Sequence, residues 1–216
     1  MRPLRTRRRS EAVTTRPRFT AYNRDLLPLI ILFAKVPAPG RVKTRLAVAP
    51  QRAADLHSAF VHQTLVMLES MRGEADVELS TDEPTAAWHE FAVARSVQSP
   101  GLLGDRIYAA LARALAAGRP KVLILGSDSP GLPAAHVRAL LASPADVSLG
   151  PVEDGGFYAI ACRQTAPAMF QGVRWSTSFT LRDTVMALRA CGLSVETGPA
   201  WFDVDRPEDL ARLGAR

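Results

Sequence analysis

The sequence predicts an α/β fold with a mainly parallel sheet, and three observations carry that reading. From Pro28 onward, short and almost wholly apolar runs alternate with longer stretches of helical periodicity. Polar loops rich in glycine, proline and charge follow the apolar runs or lie beside them, the place where open α/β sheets hold their ligands. The chain has 216 residues, 47% of them hydrophobic, enough to bury one full core.

Each element has its own signal. Residues 29–35 are a buried strand, ended by Pro37, Pro39 and Gly40, which support neither ladder nor helix. Leu56, Ala59, Phe60, Gln63, Val66 and Met67 recur at spacings of three and four and predict an amphipathic helix over 51–71, about five turns. A strand follows at 76–80 and a short helix at 84–91. The helix at 104–117 gathers Ile107, Leu111, Ala114 and Leu115 on one face, with Gly118 just past its end. Residues 122–125 are wholly apolar and read as a central strand. A helix at 136–141, strands at 146–149 and 157–162, a helix at 180–190, a strand at 193–196 and a short helix from Pro207 complete the chain.

Charge divides the sequence in two. Residues 1–25 hold eight arginines against Glu11 and Asp25, which is the whole of the formal net charge of +6; the remainder balances 19 basic with 19 acidic groups. The high isoelectric point therefore describes a tail. Residues 1–25 are expected to be a disordered basic extension and 26–216 a single domain, with nucleic acid or another polyanion engaged, if at all, through the tail. No apolar segment follows the Arg7-Arg8-Arg9 run, although the acid-poor composition is also that of an organellar transit peptide. Cys162 and Cys191 are far apart and form no CxxC pattern, so a disulfide framework or cysteine zinc site is excluded and a reducing cytoplasm expected. The longest apolar run, 28–34, falls short of the roughly 20 residues a membrane span requires.

Four loops could carry chemistry. Residues 35–46 contain two of the three lysines, Lys35 and Lys43, with Arg41 and Arg45 around the Pro39-Gly40 turn. A cationic loop with a glycine permitting close approach suits a di- or triphosphate, and a solvated basic turn is the alternative. It is not a Walker A loop, which needs a second glycine and a Gly-Lys-Ser/Thr step. Asp128, beside Ser127 and Ser129 after the central strand, suits a hard cation or else caps the next helix. Glu153 and Asp154, followed by Gly155 and Gly156, suit an acceptor or a metal-bound water, but Asp-Gly is also a hairpin signal. Asp203 and Asp205 alternate in an extended segment and point the same way, while Asp205 with Glu208 also reads as a capping box. Trp175-Ser176-Thr177 reads first as a helix cap with a packed indole and second as a substrate contact. His57, His62, His89 and His136 have no metal spacing and read as surface or helix-face residues. A serine hydrolase is excluded by the missing Gly-x-Ser-x-Gly elbow.

Taken in order, Phe33-Ala34-Lys35 through Pro39-Gly40-Arg41-Val42-Lys43-Thr44-Arg45-Leu46, then Leu103-Gly104-Asp105-Arg106, Gly126-Ser127-Asp128-Ser129-Pro130, Gly150-Pro151 through Asp154-Gly155-Gly156, Trp175-Ser176-Thr177 and Asp203-Val204-Asp205 through Pro207-Glu208-Asp209-Leu210 resemble one family. It is the GT-A-type transferase family called DUF2064 or selenodomain-associated transferase 1, with a more distant similarity to nucleotidyltransferases such as 2-phospho-lactate guanylyltransferase. The resemblance implies a GT-A fold, a Rossmann-like three-layer α/β/α sandwich. It implies an enzyme: a metal-dependent transferase using a nucleotide-sugar donor, or alternatively a nucleoside triphosphate that nucleotidylates a small phosphorylated acceptor. A non-catalytic nucleotide- or polyanion-binding protein is the further alternative. By motif position, Mg²⁺ or Mn²⁺ falls on Asp128 with Asp205 or Asp203. Lys35, Pro39, Gly40, Arg41, Lys43, Arg45 and Ser127 fall on the nucleotide phosphates, and Gly155, Gly156, Trp175, Ser176 and Thr177 on the acceptor. Asp128, Lys43, Glu153 and Asp154 are the catalytic candidates. Two departures stand out: Pro39-Gly40-Arg41 replaces the Gly-x-Gly-x-Arg loop of nucleotidyltransferases, and Arg206 replaces the usual threonine before Pro-Glu-Asp.

Overall fold

The computed structural model describes residues 26–213; the tail assigned to 1–25 lies outside them. The strands are β1 (Leu29–Ala34), β2 (Asp76–Thr81), β3 (Ala94–Val97), β4 (Val122–Gly126), β5 (Val147–Pro151), β6 (Phe157–Cys162) and β7 (Val195–Thr197). They form one sheet in the order β3-β2-β1-β4-β6-β5-β7. β6 alone runs antiparallel, pairing Ile160 with both Ile124 and Leu149, while the other pairings are parallel. The mainly parallel α/β sandwich expected from the sequence is the fold observed.

Side-chain alternation along each central strand builds the two halves of the core. Ile30, Leu32, Leu123 and Leu125 face a layer formed by α1 (Pro50–Glu69) and α3 (Ala134–Ala142), which contribute Phe60, Val61, Leu65, Val137 and Leu140. Leu29, Ile31, Val122 and Ile124 face α2 (Leu103–Ala116) and α4 (Thr180–Ala190), with Ile107, Leu111 and Leu188. On α2 the expected stripe of Ile107, Leu111 and Ala114 is the face laid on the sheet, but α1 buries Ala53, Ala54, His57, Phe60, Val61, Thr64, Leu65 and Leu68, and Ala59, Gln63 and Val66 of its expected stripe are exposed.

Two further differences from the sequence reading lie at the β2–β3 side of the sheet. Residues 84–91 form turns, not a helix, and bury Trp88 and Phe91 against the α1 layer. The edge strand β3, with the largely exposed sequence Ala-Arg-Ser-Val, gives no apolar run and is invisible to periodicity. Among the described residues, no helix is long and apolar enough to cross a membrane.

Candidate functional site

The carboxyl ends of the parallel strands share one edge of the sheet, and the polar loops of the sequence meet there. The loop after β1 carries Arg41, Lys43 and Arg45; Asp82 and Glu83 follow β2; Ser127, Asp128 and Ser129 follow β4; Glu153 to Gly156 join β5 to β6. The segment Asp203-Val204-Asp205 is bound beside Asp128 by a backbone hydrogen bond from Val204 N–H to the Asp128 carbonyl, 2.9 Å. After it, α5 (Pro207–Leu210) begins.

Lys43 is the centre of this edge. Its Nζ lies 2.5 Å from Asp128 Oδ1 and 3.1 Å from Asp205 Oδ1, and donates to the Val204 carbonyl at 2.7 Å. The side chain is 3% exposed, whereas those of Asp128 and Asp205 are 48% and 41% exposed. Burial alone would lower the lysine pKa, but the charges of Asp128 and Asp205 outweigh it and hold the ammonium above its ordinary value. Asp203 accepts a short hydrogen bond from Ser129 Oγ. Its removal from water, opposed by that bond and reinforced by Asp128 and Asp205, pushes its carboxyl up to about 7.

The other end of the loop points across the sheet. Arg41 forms a fork on Glu83, at 3.0 and 2.7 Å, and reaches Asp82 at 3.4 Å. Asp82 in turn lines a cavity of about 390 Å³ with Gln98, Ser99, Pro100, Gly101 and Arg106. In that wall Ser99 Oγ and Arg106 Nε are buried and find no hydrogen-bond partner among the described residues. Arg106 is held by Gln98 Oε1 at 3.1 Å, and Gln98 by the carbonyls of Ala34 and Ser80. Lys35 and Arg45 are exposed, as are Pro39 and Gly40 at the tip of the turn, whereas Ser127 is buried.

On the β5–β6 side, Gly155 has φ +90°, and a Cβ there would lie 2.2 Å from the Ser178 carbonyl. Glycine therefore lets the segment carrying Trp175, Ser176 and Thr177 pack directly on the turn. The Trp175 indole is packed as expected, against Phe157 and Phe170. Ser176 adopts φ 58°, and Thr177 Oγ1 accepts the Phe179 N–H. Asp154 accepts the Gly156 N–H at 2.9 Å, a local turn bond. Glu153 is engaged by a two-pronged ion pair with Arg212.

Several alternative roles fall away. The residue preceding α3 is Pro133, so Asp128 and Ser129 do not cap that helix. Asp205 does not cap α5: Arg206 holds that position, and Asp209, not Glu208, reaches back to the N–H groups of Asp205 and Arg206. The Asp-Gly hairpin signal is correct, since β5 and β6 pair through it. His57 is not a surface residue. It is buried under the loop, lowered in pKa by that burial, and its Nε2 meets the Lys35 carbonyl at 2.9 Å. A carbonyl only accepts, so Nε2 carries the proton. The sequence reading also lacked Asp82, Glu83 and the Gln98–Arg106 wall. The rule that found Lys35 and Asp128, polar residues just beyond a strand end, would have found the first pair.

Known proteins resemble this chain in sequence and in fold. A family described as "Uncharacterized protein conserved in bacteria (DUF2064)" matches residues 64–177. The chain belongs to that family. DUF2064 membership is accompanied by similarity to a crystal structure from Desulfovibrio desulfuricans G20, provisionally described as a nucleotide-diphospho-sugar transferase: TM-score 0.78, 33% identity, covering 86% of this chain and 85% of that one. The chain is also 30% identical over 118 residues to the 2-phospho-L-lactate guanylyltransferase of Methanosarcina acetivorans, spanning about half the length of each (50% and 52%). A CMP:2-keto-3-deoxy-manno-octonic acid synthetase in complex with CTP shares the fold at TM-score 0.58 and 14% identity, over 88% of this chain and 97% of that one. This DUF2064 chain thus has the fold of nucleotide-using transferases, and its relatives are transferases.

Proposed function

We propose that the chain transfers a group from a nucleotide sugar to a small acceptor, assisted by a divalent cation. The observation that carries this reading is the span of the β1 loop. Through Arg41 it touches Asp82, which lines the cavity with two unpartnered polar atoms; through Lys43 it touches Asp128 and Asp205. A nucleotide laid along it would put its base or ribose at the cavity, where Ser99 and Arg106 offer donors. Its phosphates would lie over Arg41, Lys43 and Arg45, and the transferred group would face Asp128 and the Glu153–Gly156 turn.

Among the described residues no group of three or more His, Cys, Asp or Glu could hold a metal by itself. Two half-exposed carboxylates nonetheless fit Mg²⁺ or Mn²⁺ brought in with phosphate, because Mg²⁺ ordinarily takes one or two carboxylates and completes its shell with water and phosphate oxygens. Asp128 and Asp205 would hold it, while Asp203 is engaged by Ser129. When bound, the cation would neutralise charge gathering on the departing phosphate. Arg41 and Arg45 would orient the diphosphate, and Trp175, Ser176 and Thr177 would border the acceptor. The 30% identity to a guanylyltransferase favours a second reading, nucleotidyl transfer from a nucleoside triphosphate.

Thermal-shift screening of nucleoside di- and triphosphates and nucleotide sugars, with Mg²⁺, Mn²⁺ or chelator, tests both. A ligand at 100 times its dissociation constant adds roughly 2.7 kcal/mol to stability. Release of nucleoside diphosphate by the protein and a donor supports glycosyl transfer; release of pyrophosphate supports nucleotidyl transfer. A protein indifferent to every nucleotide would refute the proposal.

A further inference from the structure

The proposed role of Lys43 as a phosphate ligand meets a geometric conflict. A lysine ammonium has three N–H donors, and three oxygens surround this one: Asp128 Oδ1 at 2.5 Å, the Val204 carbonyl at 2.7 Å and Asp205 Oδ1 at 3.1 Å. The Phe60 ring, 5.5 Å from Nζ, closes a further side, and the side chain is 3% exposed. No donor is left for a phosphate oxygen. The ammonium also occupies the space between the two carboxylates assigned to the cation.

The backbone around it is tensed. Lys43 (φ 49°) and Ala47 (φ 52°) are both left-handed without being glycine, and they bracket the 3₁₀ turn Thr44–Leu46. Such conformations persist only where the surroundings impose them. Here the constraints are the three bonds of Lys43 on one side and the fully buried Leu46 on the other.

We infer that Lys43 is an internal counter-ion that holds the cation site shut until nucleotide phosphates draw it away. The inference rests on the nucleotide-transferase reading and adds a coupling to it. A divalent cation and an ammonium cannot share Asp128 and Asp205 without strong repulsion, so in the nucleotide-free protein they compete. An arriving diphosphate offers the ammonium new acceptors, Lys43 exchanges carboxylates for phosphate, and the left-handed turn is released. Metal and nucleotide therefore bind cooperatively, each strengthening the other by the same factor.

The test is Mn²⁺ alone, titrated by electron paramagnetic resonance into the wild-type chain, Lys43→Met and Lys43→Met/Asp128→Asn. Lys43→Met is expected to bind Mn²⁺ at least ten-fold more tightly than wild type, and Asp128→Asn to abolish that gain. Equal or weaker binding by Lys43→Met overturns the inference. A measurement on the wild-type chain guards against a misfolded variant. With only three lysines in the sequence, the ¹⁵Nζ spectrum should show one slowly exchanging, hydrogen-bonded ammonium that moves when Mg²⁺ and inorganic pyrophosphate are added together. A Lys43 resonance unmoved by that addition also overturns it. If nucleotides still stabilise the protein while both tests are negative, the lock is wrong and the transferase reading stands.

Discussion

Two of the places along this sheet where charge is buried are balanced differently. Towards the amino end of β2, the Glu78 side chain is 7% exposed and is met by one guanidinium, Arg113 at 2.5 Å, and one hydroxyl, Ser96 at 2.5 Å. At the carboxyl edge, Asp128, Asp203 and Asp205 gather around a single ammonium. The first is balanced one to one: one carboxylate and one cation, with a hydroxyl from the neighbouring strand donating to the same oxygen, Oε1, that the guanidinium meets. The second is short of positive charge and half open to water. A cluster that would be more stable with fewer carboxylates is the mark of a place kept for a ligand, since folding alone would have discarded the surplus. The contrast separates charge that serves the fold from charge that serves chemistry.

Removing a charge at each place should therefore have opposite consequences. Asp128→Asn is expected to have the larger effect: metal-dependent nucleotide affinity falls by about 100-fold or more, roughly 2.7 kcal/mol, because a hard cation loses a charged ligand. The apo fold persists with little change in melting temperature, since relief of the repulsion on Asp203 is offset by the weakened pair with Lys43. Calorimetric titration with and without chelator reads the first outcome and scanning calorimetry the second. A variant that keeps full metal-dependent binding would remove the metal assignment.

Arg113→Met should show the reverse. It leaves Glu78 buried with only Ser96 to answer it, a loss of about 2 kcal/mol given that the guanidinium is half exposed and water can partly replace it. That corresponds to a fall of roughly 4–8 °C in a domain of this size. Nucleotide affinity should be unchanged. If it fell in parallel, the two places would not be independent and the contrast drawn from them would fail.

How much of this could be read from the sequence follows from which signals are local. The strands β1 and β4 were legible because their burial on both faces leaves uninterrupted apolar runs. The acid and base of the site were legible one loop at a time, as polar residues just past a strand. Their pairing was not: Lys43 and Asp205 are 162 residues apart, and only the crossover of the chain brings them together. The capping role read into Asp205 and Glu208 failed for a similar reason. A local motif was assigned to Asp205 when the distant ammonium had a stronger claim on its carboxylate, and Asp209 took the cap. The burial of His57 on α1 has no local signal, because the sequence gives no sign of the loop that folds over it. The cavity beside Asp82 has no local signal, since it is made of the loops that follow β2 and β3 together with Arg106 of α2.

The smallest effect tests whether the counter-ion logic extends to the exposed end of the loop. Arg41 is held by Glu83 and more loosely by Asp82, as Lys43 is held by Asp128 and Asp205, but it and Glu83 are half exposed to water. Exposed pairs are weak and screened by salt, so a phosphate can displace Glu83 from Arg41 at little cost. Glu83→Gln should therefore leave the melting temperature nearly unchanged and strengthen nucleotide binding only by about two- to five-fold at low salt. The gain should fade as ionic strength rises and the Debye length shrinks from about 30 Å at 0.01 M to about 10 Å at 0.1 M. Affinity measured across a salt series distinguishes this from a rearranged loop, which would change affinity at every ionic strength. Weaker binding in Glu83→Gln would mean that Glu83 positions Arg41 for the phosphates instead of competing with them. The two ends of the loop would then work by different rules, a lock at Lys43 and a brace at Arg41.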